Sequence, residues 1–76
     1  MTTDTPVFAE EVVTALATLA APWSREIVVQ RVDHESGLKM LRLRIKEGRA
    51  RFTILDLDEP TVAELMRVMG GWRDSL

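Results

Sequence analysis

Apolar and polar residues alternate along residues 38–57, LKMLRLRIKEGRARFTILDL, with Glu47-Gly48 in the middle. A period of two marks half-buried strands, and a short polar pair containing glycine between two such runs marks a hairpin. A two-residue loop at Glu47-Gly48 sets Lys46 opposite Arg49 and with it every later pair. Ile45 then faces Ala50, Leu43 faces Phe52 and Leu41 faces Ile54, which makes one continuous apolar face. On the other face Arg44 lies opposite Arg51, Arg42 opposite Thr53, Met40 opposite Leu55 and Leu38 opposite Leu57. That second face is cationic near the tip and apolar at the open end.

The segment before the hairpin predicts a further strand over residues 25–33, where Ile27, Val28, Val29 and Val32 supply β-propensity on both faces of the pleat. His34-Glu35-Ser36-Gly37 is the turn, and two registers are open, with Asp33 opposite Leu38 or Lys39. Upstream, Phe8, Val12, Ala15, Leu16 and Leu19 recur at three- and four-residue spacing, which predicts an amphipathic helix. Asp4 or Thr5 would cap it, Pro6 suits its first turn, Glu10 and Glu11 complement its dipole and Pro22 stops it. Downstream, Val62, Leu65, Met66 and Met69 predict a second helix. Asp58 or Thr61 caps it, Gly70-Gly71 ends it, and Trp72 folds back as an anchor.

The expected fold is therefore α+β, a two-layer sandwich of helix, three-stranded antiparallel meander and helix (αβββα), in a single domain over residues 1–76. Residues 1–4 and 74–76 are expected to fray. Both helices are expected on the face of Leu41, Leu43, Ile45, Phe52 and Ile54, which leaves the other face without cover from this chain.

Composition sharpens this picture in two ways. A chain of 76 residues holds a marginal core, and with no cysteine and a single histidine it has neither disulfides nor the ligands of a structural zinc site to supplement it. Self-association is the supplement that remains. Net charge is −2, but residues 38–51 carry Lys39, Arg42, Arg44, Lys46, Arg49 and Arg51 against Glu47 alone, a net +5 that leaves −7 for the rest. A basic hairpin on an acidic body attracts either itself or partners of opposite sign. No apolar run approaches a membrane span and MTTDTP lacks a secretory start, so a cytoplasmic protein of bacterial accessory type is expected.

Arg44 opposite Arg51 is the least ordinary detail of the expected hairpin, because like charges directly opposite in a sheet are destabilising. Glu26 or a second subunit neutralises them, their stems splay into water, or Arg42, Arg44 and Arg51, aided by Lys46 and Arg49, hold an anion or single-stranded nucleic acid. In the expected register Phe52 lies on the opposite face, so the arginines lack an aromatic platform for bases. In outline the meander followed by a helix resembles the single-strand-binding domains of small transcriptional coactivators, a likeness of layout without a shared motif.

No catalytic, metal or cofactor site is expected. Asp56, Asp58 and Glu59 read as helix-capping charge, and His34, Glu35 and Ser36 as turn residues. Met66 and Met69 read as core. Leu38, Met40, Leu55 and Leu57, with Trp72 and Trp23 as further anchors, form an apolar patch of the kind that marks a protein interface. The sequence thus predicts a non-enzymatic adaptor acting through protein–protein association, as a homodimer built on the uncovered face or a sheet edge, with an unidentified protein partner. An anion- or nucleic-acid-binding module is the alternative.

Overall fold

The computed structural model describes residues 11–76. They form an antiparallel four-stranded meander followed by one helix: β1 (Glu11–Ala21), β2 (Arg25–His34), β3 (Lys39–Lys46), β4 (Phe52–Leu57) and α1 (Glu59–Asp74). The class is α+β.

The expected N-terminal helix is corrected over Glu11–Ala21, which is a strand. Its Asp4, Thr5, Pro6, Phe8 and Glu10 lie outside the described residues. The misreading has a physical cause. β1 pairs Glu11 with His34 and Val12 with Asp33, but the register shifts between Ala15 and Ala17, where a bulge inserts Leu16. A bulge changes the parity of the alternation. Val12 and Thr14 before it, and Ala17 and Leu19 after it, consequently share one face, a spacing that imitates a helical stripe. The β-branched run Val12-Val13-Thr14 was the signal for a strand.

β2 and β3 pair with Asp33 opposite Lys39, the second of the two expected registers, and Asp33 accepts from Lys39 Nζ at 3.3 Å and Arg31 Nε at 2.9 Å. The β3–β4 hairpin departs from expectation. Its loop spans residues 47–51, closed by the Glu47 N–H donating to the Arg51 carbonyl at 2.9 Å, and pairing starts at Lys46 opposite Phe52. The register is shifted by three residues, an odd number, so β4 turns its other face to each layer. Arg51 leaves the sheet, and Arg44 faces Ile54 instead. The shorter loop would have stacked Lys46 on Arg49 and Arg44 on Arg51, whereas the longer one sets Arg42 beside Asp56.

One face of the sheet carries Leu19, Ile27, Val29, Leu41, Leu43, Ile45, Leu55 and Leu57, and α1 lies against it with Leu57 buried. The expected partners Phe52 and Ile54 belong to the far face. There Val32 is fully buried, flanked across the strands by Val13 and Met40.

Asp58 caps α1, accepting from the Thr61 N–H at 2.9 Å, and Pro60 sits in the first turn. The helix does not end at Gly70-Gly71 but runs through both to Asp74, with Ser75 as its cap, its hydroxyl on the Trp72 carbonyl at 2.6 Å. Two interior glycines weaken a helix without stopping it. Trp72 accordingly stays on the helix and is 65% exposed.

Candidate functional site

Three features of the described residues carry chemistry: an ion-pair cluster at one end of the sheet, a basic end opposite it, and an apolar groove under α1.

The cluster is built by register. Arg42 on β3 stands opposite Asp56 on β4 and Gln30 on β2. Its Nε donates to Asp56 Oδ1 at 2.7 Å, its Nη2 to Oδ2 at 3.1 Å, and its Nη1 to Glu11 Oε1 on β1 at 3.3 Å. The guanidinium thus reaches across the whole width of the sheet, and His34 Nε2 stands 4.0 Å from the second oxygen of Glu11. Hydrogen bonding to Arg42 holds the Asp56 carboxyl below its usual range against the opposing effect of burial. Hydrogen bonding to Asp56 likewise raises the Arg42 guanidinium, a group already charged at every working pH. Both carboxylates are taken up by one cation, and the geometry is that of a structural clasp.

Arg42 is thereby separated from the expected arginine triad. Arg44 lies with its guanidinium carbon 4.3 Å from the Phe52 ring centroid, and Phe52 shares its face rather than opposing it. Arg51 and Arg49 lie in the exposed loop, and Lys46 ends β3 beside Phe52. Trp23, expected as an interface anchor, stands beside this group. It projects 86% exposed from the β1–β2 turn at the same end of the sheet. The helix expected over Glu11 conceals both the hydrogen bond it accepts from Arg42 and its approach to His34.

The groove runs between sheet and helix. Leu19, Ile27, Val29, Leu41, Leu43 and Leu57 form its floor, and Val62, Leu65, Met66 and Met69 its helical wall, with no polar side chain among them. Met66 is 68% exposed. The interface residues expected from sequence do not form one patch. Leu57 lines the groove, Leu55 shares its face of the sheet, Met40 lies on the far face, Leu38 is in the turn before β3 and Trp72 is near the end of α1.

Asp56, Asp58 and Glu59 do not converge on a site. Asp56 binds Arg42, and hydrogen bonds from Thr61 hold the Asp58 carboxyl below its usual range. Among the described residues no three acidic, histidine or cysteine side chains are placed to hold a metal ion, and no helix is long and apolar enough to cross a membrane.

No curated protein and no solved structure matches this chain. A family of unknown function (DUF6967) matches residues 10–75, which span all four strands and the helix, and the chain belongs to that family.

Proposed function

We propose that this protein is a non-enzymatic cytoplasmic accessory protein that works as a homodimer, with the apolar groove between α1 and the sheet as the seat of the second copy. The observation that carries the reading is the apolar surface left outside any core: among the described residues Val32 and Leu57 alone are buried, while Leu19, Leu65, Met66 and Met69 stand open around one groove. Monomeric proteins rarely leave contiguous apolar surface of this extent in water.

A second copy suits this groove, since the interfaces of obligate homodimers are the apolar ones and no polar side chain lines it. A two-fold arrangement places the same groove on both sides of the contact, as an isologous interface requires. The missing cysteines suit a reducing compartment.

Sedimentation equilibrium of the full chain tests the reading. A dimer is expected throughout the micromolar range, and a folded monomer there sinks it.

A further inference from the structure

The sheet is electrically polar along its strands. At the end made by the β1–β2 turn and the β3–β4 loop stand Arg25, Arg44, Lys46, Arg49 and Arg51 against Glu26 and Glu47, a net +3. At the opposite end Glu11, Asp33, Glu35, Asp56, Asp58 and Glu59 outnumber Arg31, Lys39 and Arg42, a net −3. The ion pairs differ in the same sense. Arg31, Lys39 and Arg42 are joined to carboxylates, whereas among the described residues no ion pair involves the five cations of the basic end.

Two exposed aromatic rings stand among those free cations. Phe52 is 46% exposed, with Arg44 against its ring. Trp23 is 86% exposed at the tip of a turn in which both Trp23 and Ser24 have φ of 60°. Two successive positive φ values are what a tight hairpin turn of the I′ kind requires, and they set Trp23 at its tip.

We propose that this basic end binds single-stranded nucleic acid, with Trp23 and Phe52 stacking on bases and Arg44, Lys46, Arg49 and Arg51 on the flanking phosphates. Cations spread along an open end suit a chain of phosphates, since one small anion needs donors converging on a point. Exposed rings set apart from one another suit unpaired bases, whose faces a duplex keeps stacked internally. The turn that carries Trp23 and the strand that carries Phe52 lie two to three strand spacings apart, about 10–15 Å, which spans a few nucleotides. The site lies on one protomer and is independent of the dimer groove.

The test is fluorescence anisotropy of the full chain with labelled oligo-dT and oligo-U, a duplex of equal length and a labelled oligoglutamate. Single strands are expected to bind at low salt and to weaken about a hundred-fold or more for a tenfold rise in salt, as three or four phosphate contacts require. The triple variant Lys46→Gln/Arg49→Gln/Arg51→Gln should lower affinity at least tenfold and flatten the salt dependence. Trp23→Ala should lower it about 5- to 100-fold with the salt dependence unchanged, the mark of a lost stack. Both variants should sediment as the parent does, so failure of the dimer reading and failure of this site are separately visible. Absence of single-strand binding at low salt overturns the proposal, as does an unaltered affinity in both variants. Equal or tighter binding of the duplex or of oligoglutamate overturns it too, since either result reduces the site to bare charge.

Discussion

Arg42 and Asp56 face each other across β3 and β4 and are joined by two near-parallel hydrogen bonds, at 2.7 and 3.1 Å. This pair marks the register of the hairpin: a slip of one residue would move Arg42 to the other face and leave Asp56 without its partner. Charge-assisted fork contacts are among the stronger polar interactions. Arg42 is 20% and Asp56 38% exposed at the side chain, so screening reduces their worth. Asp56→Asn is expected to lower stability by about 1–2 kcal/mol, read by urea denaturation at fixed protein concentration. No measurable loss would show the fork to be decorative.

Acid should act on the same pair. The Asp56 carboxyl titrates lower in the folded chain than in the unfolded one, chiefly because Arg42 hydrogen-bonds its charged form. A depressed folded value means that the unfolded chain binds the proton first as pH falls. The stabilisation is thus fully present above the unfolded value of about 3.9 and is lost as pH drops below it towards the folded value. Asp58 and Glu64 shift in the same direction, held by Thr61 and Arg67. Stability is expected to be level in this respect from pH 7 to 5 and to fall below about pH 4, with a shallower fall in Asp56→Asn. Equal slopes in parent and variant would remove Asp56 from the account.

Much of this architecture was legible in local pattern. β3 and β4 announce themselves by alternation and β2 by its β-branched run, and the Asp58 cap and its Pro60 mark where α1 begins. What misled was information that a local window does not hold. The bulge at Leu16 disguised β1 as a helix, and Glu47-Gly48 resembled a two-residue turn although the loop continues to Arg51. That three-residue difference decided the candidate site, since it broke up the arginine triad, gave Arg42 to Asp56 and moved Phe52 onto the face of Arg44. The expected repulsion between Arg44 and Arg51 was itself a signal against the two-residue loop. The apolar half-face at Leu38, Met40, Leu55 and Leu57 dissolved for the same reason.

The β1–β2 turn offers a test of backbone strain. Ser24 has φ of 60°, where a Cβ is disfavoured and glycine is at ease. Ser24→Gly should raise stability by about 0.5–1 kcal/mol, the relief of the left-handed conformation less the extra freedom of the unfolded chain. Ser36→Gly is the control, because Ser36 is not among the residues with positive φ, and it should lose stability or leave it unchanged. Thermal or urea unfolding of the two variants side by side decides the point, and a loss in Ser24→Gly would contradict it.

Gly71 invites the opposite substitution. It lies inside α1, its φ is not positive, and a Cβ built on it meets nothing within 4 Å. Gly71→Ala should therefore stabilise the helix by up to about 1 kcal/mol, visible as greater helical ellipticity and a higher unfolding midpoint. A decrease would mean that another surface approaches the backbone closely at this point.

The groove makes the sharpest prediction, because two exposed positions on one helix should behave differently. Met66 lines the groove beneath α1, while Val68 is 53% exposed on a different side of the helix, beside Pro60, Thr61 and Glu64. Each substitution to glutamate leaves the charge in water in a lone protomer, so neither should prevent folding. In the proposed dimer Met66→Glu buries an unpartnered carboxylate, which costs several kcal/mol, whereas Val68→Glu leaves its charge at the periphery. Met66→Glu is expected to weaken association at least tenfold in sedimentation and to lower stability in proportion to the lost dimer. Val68→Glu should leave the association constant within about twofold, the scale of an ordinary surface substitution. Equal effects of the two variants, or none from Met66→Glu, would place the second copy elsewhere than in this groove.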